Sequence, residues 1–142
     1  MPSAFHQFLD TLADSVNPIL ALLAIGVAGI EWRRRGWKRA AIFAGATALG
    51  LIGIYAIAAL GQRFQWWQQV GGDYSLHSAF ATSMGTSLVF WRPRWRVALV
   101  VGVLAYLVMI VLMGYHSTVD VVSAALVGVV VTLPWHLAAK RA

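Results

Sequence analysis

The stretch Gly114-Tyr115-His116-Ser117-Thr118-Val119-Asp120 sets a histidine and a carboxylate between two long apolar runs. An imidazole titrates near neutrality, attacks or donates according to its proton, and works best when a third group orients it. If the run after Gly114 is helical, the i, i+4 spacing stacks His116 and Asp120 on one face, with the carboxylate in position to orient the ring. The expectation is an active site built on this pair.

The elements that must position it are apolar. Hydrophobic residues make up 60% of the 142-residue chain and charged residues 11%, and the mean hydropathy is +0.72. This balance is that of a membrane protein, expected as a single transmembrane domain over residues 1–142. No cysteine is present, so a disulfide framework and a thiolate metal site are both excluded. The net charge of +6 lies in short basic clusters between apolar spans, which fits membrane topology and argues against nucleic acid as a partner.

Hydropathy predicts an all-α bundle of about five transmembrane helices, over residues 16–30, 40–60, 77–90, 97–113 and 117–137. Met1 to Asn17 carries Asp10 and Asp14 and no Lys or Arg, unlike a cleavable signal. With Phe5, Phe8, Leu9 and Leu12 at helical spacing, residues 1–15 are either an amphipathic interfacial segment or an extension of the first span. Ten of the eleven basic residues fall in the first and third connections and at the tail; Arg63 alone lies elsewhere. The positive-inside rule then sets the N-terminus outside and the C-terminus inside. All seven tryptophans stand near span ends, as an aromatic belt requires.

In that topology Asp73 and His77 lie at the outer end of span three, and His116 and Asp120 at the outer end of span five. Both helices would point free N–H groups and a positive dipole end at one region, a setting that suits an anion. A proton relay through His77, His116, Asp73 and Asp120 would need a through-path, which polar residues confined to one face do not supply.

Tyr74-Ser75-Leu76-His77 and His116-x3-Asp120 resemble the second (P-S-G-H) and third (S-R-x5-H-x3-D) motifs of the type-2 phosphatidic acid phosphatase superfamily of membrane lipid phosphatases and phosphotransferases. Gly72-Asp73, Ser75-Leu76-His77-Ser78 and His116 to Val121 are also similar to the sphingomyelin synthase-like branch. The resemblance covers roughly residues 60 to 130. The chain departs from it at Ile110, where the family has the third-motif arginine, and at Val70-Gly71, where the first motif has Arg-Pro.

The resemblance implies a lipid phosphatase of the outer membrane face, needing no metal or other cofactor and taking a phosphorylated lipid as substrate; the small size and the absence of eukaryotic sorting signals favour a bacterial inner membrane as its location. A headgroup phosphotransferase or a catalytically inactive lipid-binding relative are its alternatives. His116 would be the nucleophile that forms a phosphohistidine, Asp120 its orienting group, and His77 the acid for the leaving alkoxide. Arg63 and the Ser75 or Ser78 hydroxyl would meet the phosphoryl charge. Taken residue by residue, His77 alone equally suits a hydrogen bond to another helix, and Arg63 equally suits a snorkelling interfacial cation. Asp73 suits a helix N-cap better than catalysis, and His6 and His136 suit structural roles.

Overall fold

A computed structural model describes residues 4–141, with side chains from Gln7 onward. Five α-helices follow one another: α1 (Ala4–Arg35), α2 (Trp37–Phe64), α3 (Leu76–Trp91), α4 (Arg96–Leu112) and α5 (Thr118–Ala139). Among the described residues there is no strand. Four of the helices are long and apolar enough to cross a membrane: α1, α2, α4 with its preceding turn, and α5. The protein is an integral membrane protein of the all-α class.

Local sequence explains where α1, α3 and α4 stop. α1 ends on Arg33-Arg34-Arg35, whose charge suits a helix C-terminus, and the chain turns at Gly36. Residues 4–15 continue the same helix as the first span, which decides between the two expectations for that segment. The side chains of Phe5 and His6 lie outside the described residues. Pro93 follows α3 and opens a short 3-10 turn before α4. α4 closes with Gly114 at φ +73°, where the Gly114 amide donates to the Val111 carbonyl at 3.0 Å and the Tyr115 amide to that of Ile110 at 3.2 Å. This paired bonding needs a left-handed residue, and a glycine takes that conformation without a Cβ clash.

α3 is the shortest helix, at 16 residues or about 24 Å, yet it packs against all four others. Its buried face is made of small or hydroxylated residues, Ser78, Ala79, Thr82, Ser83, Gly85 and Ser87 among them. Large apolar residues such as Leu22, Ile25, Ile52, Leu112, Leu126 and Val130 face outward instead. Lipid tails are as apolar as leucine, so helices in a bilayer associate through close packing and interhelical hydrogen bonds.

The seam between α3 and α5 carries both. Ser83 Oγ and Thr132 Oγ1 lie 2.7 Å apart, and Ser87 Oγ and His136 Nε2 lie 2.8 Å apart. Trp91 Nε1 donates to His136 Nδ1 at 3.0 Å. With Nδ1 accepting, the ring proton is on Nε2, which donates to Ser87 Oγ, and that hydroxyl donates to the Ser83 carbonyl at 3.1 Å. His136 is fully buried with both nitrogens satisfied, as its structural assignment anticipated. On α5 the seam runs through Asp120, Ala124, Gly128, Thr132 and His136, one residue in four, all buried. At Gly128 a side chain would run into Thr82 and the Ala79 carbonyl, so the glycine lets the two backbones approach closely there.

The opposite, C-terminal end of α3 and α5 is basic. Glu31, buried at 2% exposure, pairs with Arg92 at 3.1 Å there, while Arg39 lies over the Trp91 ring and Lys140 over the Phe90 ring. Two tryptophans expected in an aromatic belt turn inward instead. Trp91 bonds His136, and Trp67 donates to Ser123 Oγ at 3.1 Å with its ring 4.6 Å from that of Tyr74. A buried indole N–H needs an acceptor, and α5 supplies one to each.

Candidate functional site

The pairs along the seam rise together, from Asp73 with Asp120 through Ser83 with Thr132 to Ser87 with His136, so α3 and α5 run parallel. Both helices therefore begin at the same end of the bundle. Four of the five acidic residues, Asp10, Asp14, Asp73 and Asp120, belong to this end, with Arg63 as its one basic residue.

Asp120 is the polar centre of that end. It is 5% exposed, and its carboxylate accepts from the Ser117 amide at 3.0 Å and from the Asp73 amide at 2.8 Å. Ser117 Oγ in turn accepts from the Asp120 amide at 3.2 Å, completing a capping box at the start of α5. The same side chain thus caps α5 and holds the segment that leads into α3. Gly72 makes room for it, since a Cβ there would lie 2.5 Å from Asp120 Oδ1.

This arrangement corrects the stacking expected of His116 and Asp120. α5 begins at Thr118 with Ser117 as N-cap, so His116 sits in the bend before the helix and has no i, i+4 relation to Asp120 on a helical face. Each Asp120 oxygen is taken by a backbone N–H, and among the described residues none bonds the imidazole. His116 itself is half-buried.

His77, in the first turn of α3, is exposed on the side facing α1. It lines a cavity of about 440 Å³ with Asp14, Asn17, Tyr55 and Phe80, and Asn17 Nδ2 lies 3.5 Å from its carbonyl. Among the described residues no hydrogen bond links it to His116 or Asp120. Ser75 and Ser78 are fully buried and bonded to each other at 2.8 Å, so the hydroxyls expected at a phosphoryl group point into the bundle. The helical phase explains this: at about 100° per residue, His77 and the two serines cannot share one face.

Asp73 is exposed and accepts from the Tyr74 amide at 2.7 Å; the N-cap of α3 is Ser75, which corrects the capping role expected of Asp73. Arg63 is exposed in the last turn of α2 and makes no salt bridge among the described residues. Ile110, at the family's arginine position, is buried at 3% exposure among Leu20, Tyr106 and Val121. Among the described residues no three His, Asp or Glu side chains cluster as metal ligands would.

Asp10, Asp14 and Asn17 of α1 belong to no motif, yet these meet the site. The Tyr115 hydroxyl donates to Asp10, clasping the turn before α5 to α1, and this bond raises the phenol above its ordinary range. Asp14 and Asn17 face His77 across the cavity. Their spacing along one helical face was the available signal. The hydroxyl of Tyr74, between the two helix starts, lies 3.5 Å from the Ile54 carbonyl, and burial pushes it up to about 12.

No family model matches the chain, and no curated protein or solved structure does so either.

Proposed function

We propose that the protein is a lipid phosphate phosphatase, working at the membrane face that meets the starts of α3 and α5. One observation supports this above the rest: two parallel helices begin side by side, tied by the Asp120–Asp73 bond, and each start carries a histidine, His77 on one and His116 on the other. Helix starts supply N–H groups and a positive dipole end to a phosphoryl group, and histidines supply nucleophile and acid.

In the reaction, His116 attacks phosphorus and the bond from phosphorus to the lipid oxygen breaks. His77 gives its proton to that leaving oxygen. Water then attacks the phosphohistidine, its proton returns to His77, and phosphate leaves with His116 restored. Asp120 acts by holding the turn on which His116 stands, and Arg63 is the cation within this end. A lipid hydroxyl in place of water makes the same chemistry a phosphotransfer. The basic end, with ten of the eleven Lys and Arg residues, would face the cytoplasm, and the histidines the periplasm of a bacterial inner membrane.

A second reading, a lipid-binding relative without activity, draws on Ile110, whose buried apolar setting leaves no cation there for phosphate. One screen separates the two. Purified protein in detergent is offered phosphatidate, phosphatidylglycerophosphate and isoprenyl pyrophosphates, and phosphate release and headgroup exchange are followed. Turnover that is lost in both His116→Ala and His77→Ala supports the enzyme. Absence of turnover across the panel, or alanine variants as active as the parent, overturns it.

A further inference from the structure

α4 and α5 are splayed, and between them lies a groove of about 790 Å³ that opens sideways toward the surrounding lipid. Val103 and Leu107 form one wall, Val122 and Leu126 the other, and Gly85 and Thr86 of α3 the floor. The Thr86 hydroxyl is spent on the Thr82 carbonyl at 2.7 Å, so the floor offers no free donor. A space of this size and lining falls within the usual range of ligand pockets.

Its two ends differ. Toward the start of α5 it is bounded by Leu112 and Thr118, which carry no charge, and toward the basic end by Arg96 and Lys140. Lys140 Nζ is held 4.4 Å from the centre of the Phe90 ring, which also lines the groove. Among the described residues no acidic side chain borders the groove and neither cation has a carboxylate partner. An apolar trough ending in two unpaired cations at a membrane surface is complementary to a lipid whose headgroup is negative.

We propose that the α4–α5 groove binds an anionic phospholipid from the leaflet at the basic end, with its chains along the trough and its phosphate between Arg96 and Lys140. The headgroup end of this groove, at Arg96 and Lys140, lies at the opposite end of the bundle from His77 and His116 and does not depend on their chemistry.

The test is native mass spectrometry of the detergent-purified protein incubated with phosphatidylglycerol or with phosphatidylcholine of the same chains. Phosphatidylglycerol is retained roughly tenfold more tightly in the parent, and the Arg96→Gln/Lys140→Gln variant loses that preference. Arg34→Gln/Lys38→Gln, which removes two charges from the same end but away from the groove, keeps it. Ala125→Phe, which fills the trough, weakens both lipids. Equal retention of the two lipids in the parent, or a preference that survives the Arg96/Lys140 change, overturns the proposal. So does a lipid-free dimer, since a second copy would then cover the groove.

Discussion

Asp120 Oδ1 accepts the backbone N–H of Asp73 at 2.8 Å, joining residues 47 positions apart and making the start of α5 the anchor for the start of α3. Asp120→Ala removes this bond and the capping box together. It is expected to lower stability by about 2 kcal/mol, the upper end for loss of a helix cap. Asp120→Asn keeps one acceptor oxygen and should cost less. Thermal unfolding in detergent gives the ranking, and hydrogen exchange at the Asp73 amide should be faster in the alanine variant.

His136→Leu strands the Trp91 indole N–H inside the bundle and removes the donor to Ser87. Interhelical bonds in membranes are individually modest, so a loss of about 1 kcal/mol is expected, read from unfolding in increasing SDS. Phosphate release, if the protein has it, should stay within about twofold of the parent once both are folded, because His136 is at the other end from His116.

Removing one member of the Glu31–Arg92 pair should cost far more. Glu31 is 2% exposed, and Glu31→Ala leaves the partly buried Arg92 guanidinium without its carboxylate. The expected penalty is about 3 kcal/mol. Glu31→Leu combined with Arg92→Leu should recover most of it, and a double variant no better than the single one would contradict the pairing.

Tyr74 gives the structure an alkaline signature. Its pKa is pushed up to about 12 by burial, above the ordinary 10, so the neutral phenol is the form the fold favours. Its contribution to stability is complete below pH 10 and is lost as pH rises from 10 through 12. Difference spectra at the phenolate band between the parent and Tyr74→Phe should show this residue ionising above the ordinary tyrosine range or only on unfolding.

α1, α2, α4 and α5 were legible as long apolar runs, and α3, α4 and α5 match their expected ranges to within two residues at each end. The parallel starts of α3 and α5 also followed from counting crossings. The bonds made by Asp120 did not. Ser117-x-x-Asp120 spells a capping box, but the same letters suit a histidine–carboxylate pair, and only the position of the first helical residue separates them. The inward turns of Trp67 and Trp91 were hidden for a related reason. A tryptophan near a span end fits the belt and the interior equally until its partner helix is known. The one-in-four series from Asp120 to His136 was visible, but small residues at that spacing do not name the helix they meet.

The α3–α5 seam also bears on how the protein is made. Ser83 and Ser87 meet partners 49 positions further along, so during synthesis α3 reaches the membrane well before the residues that satisfy it. Being short and rich in hydroxyls, it gains little from lipid by itself. Its lasting placement therefore waits on α5. A ribosome paused between these two helices would hold α3 against α1 and α2 with the face meant for α5 still open.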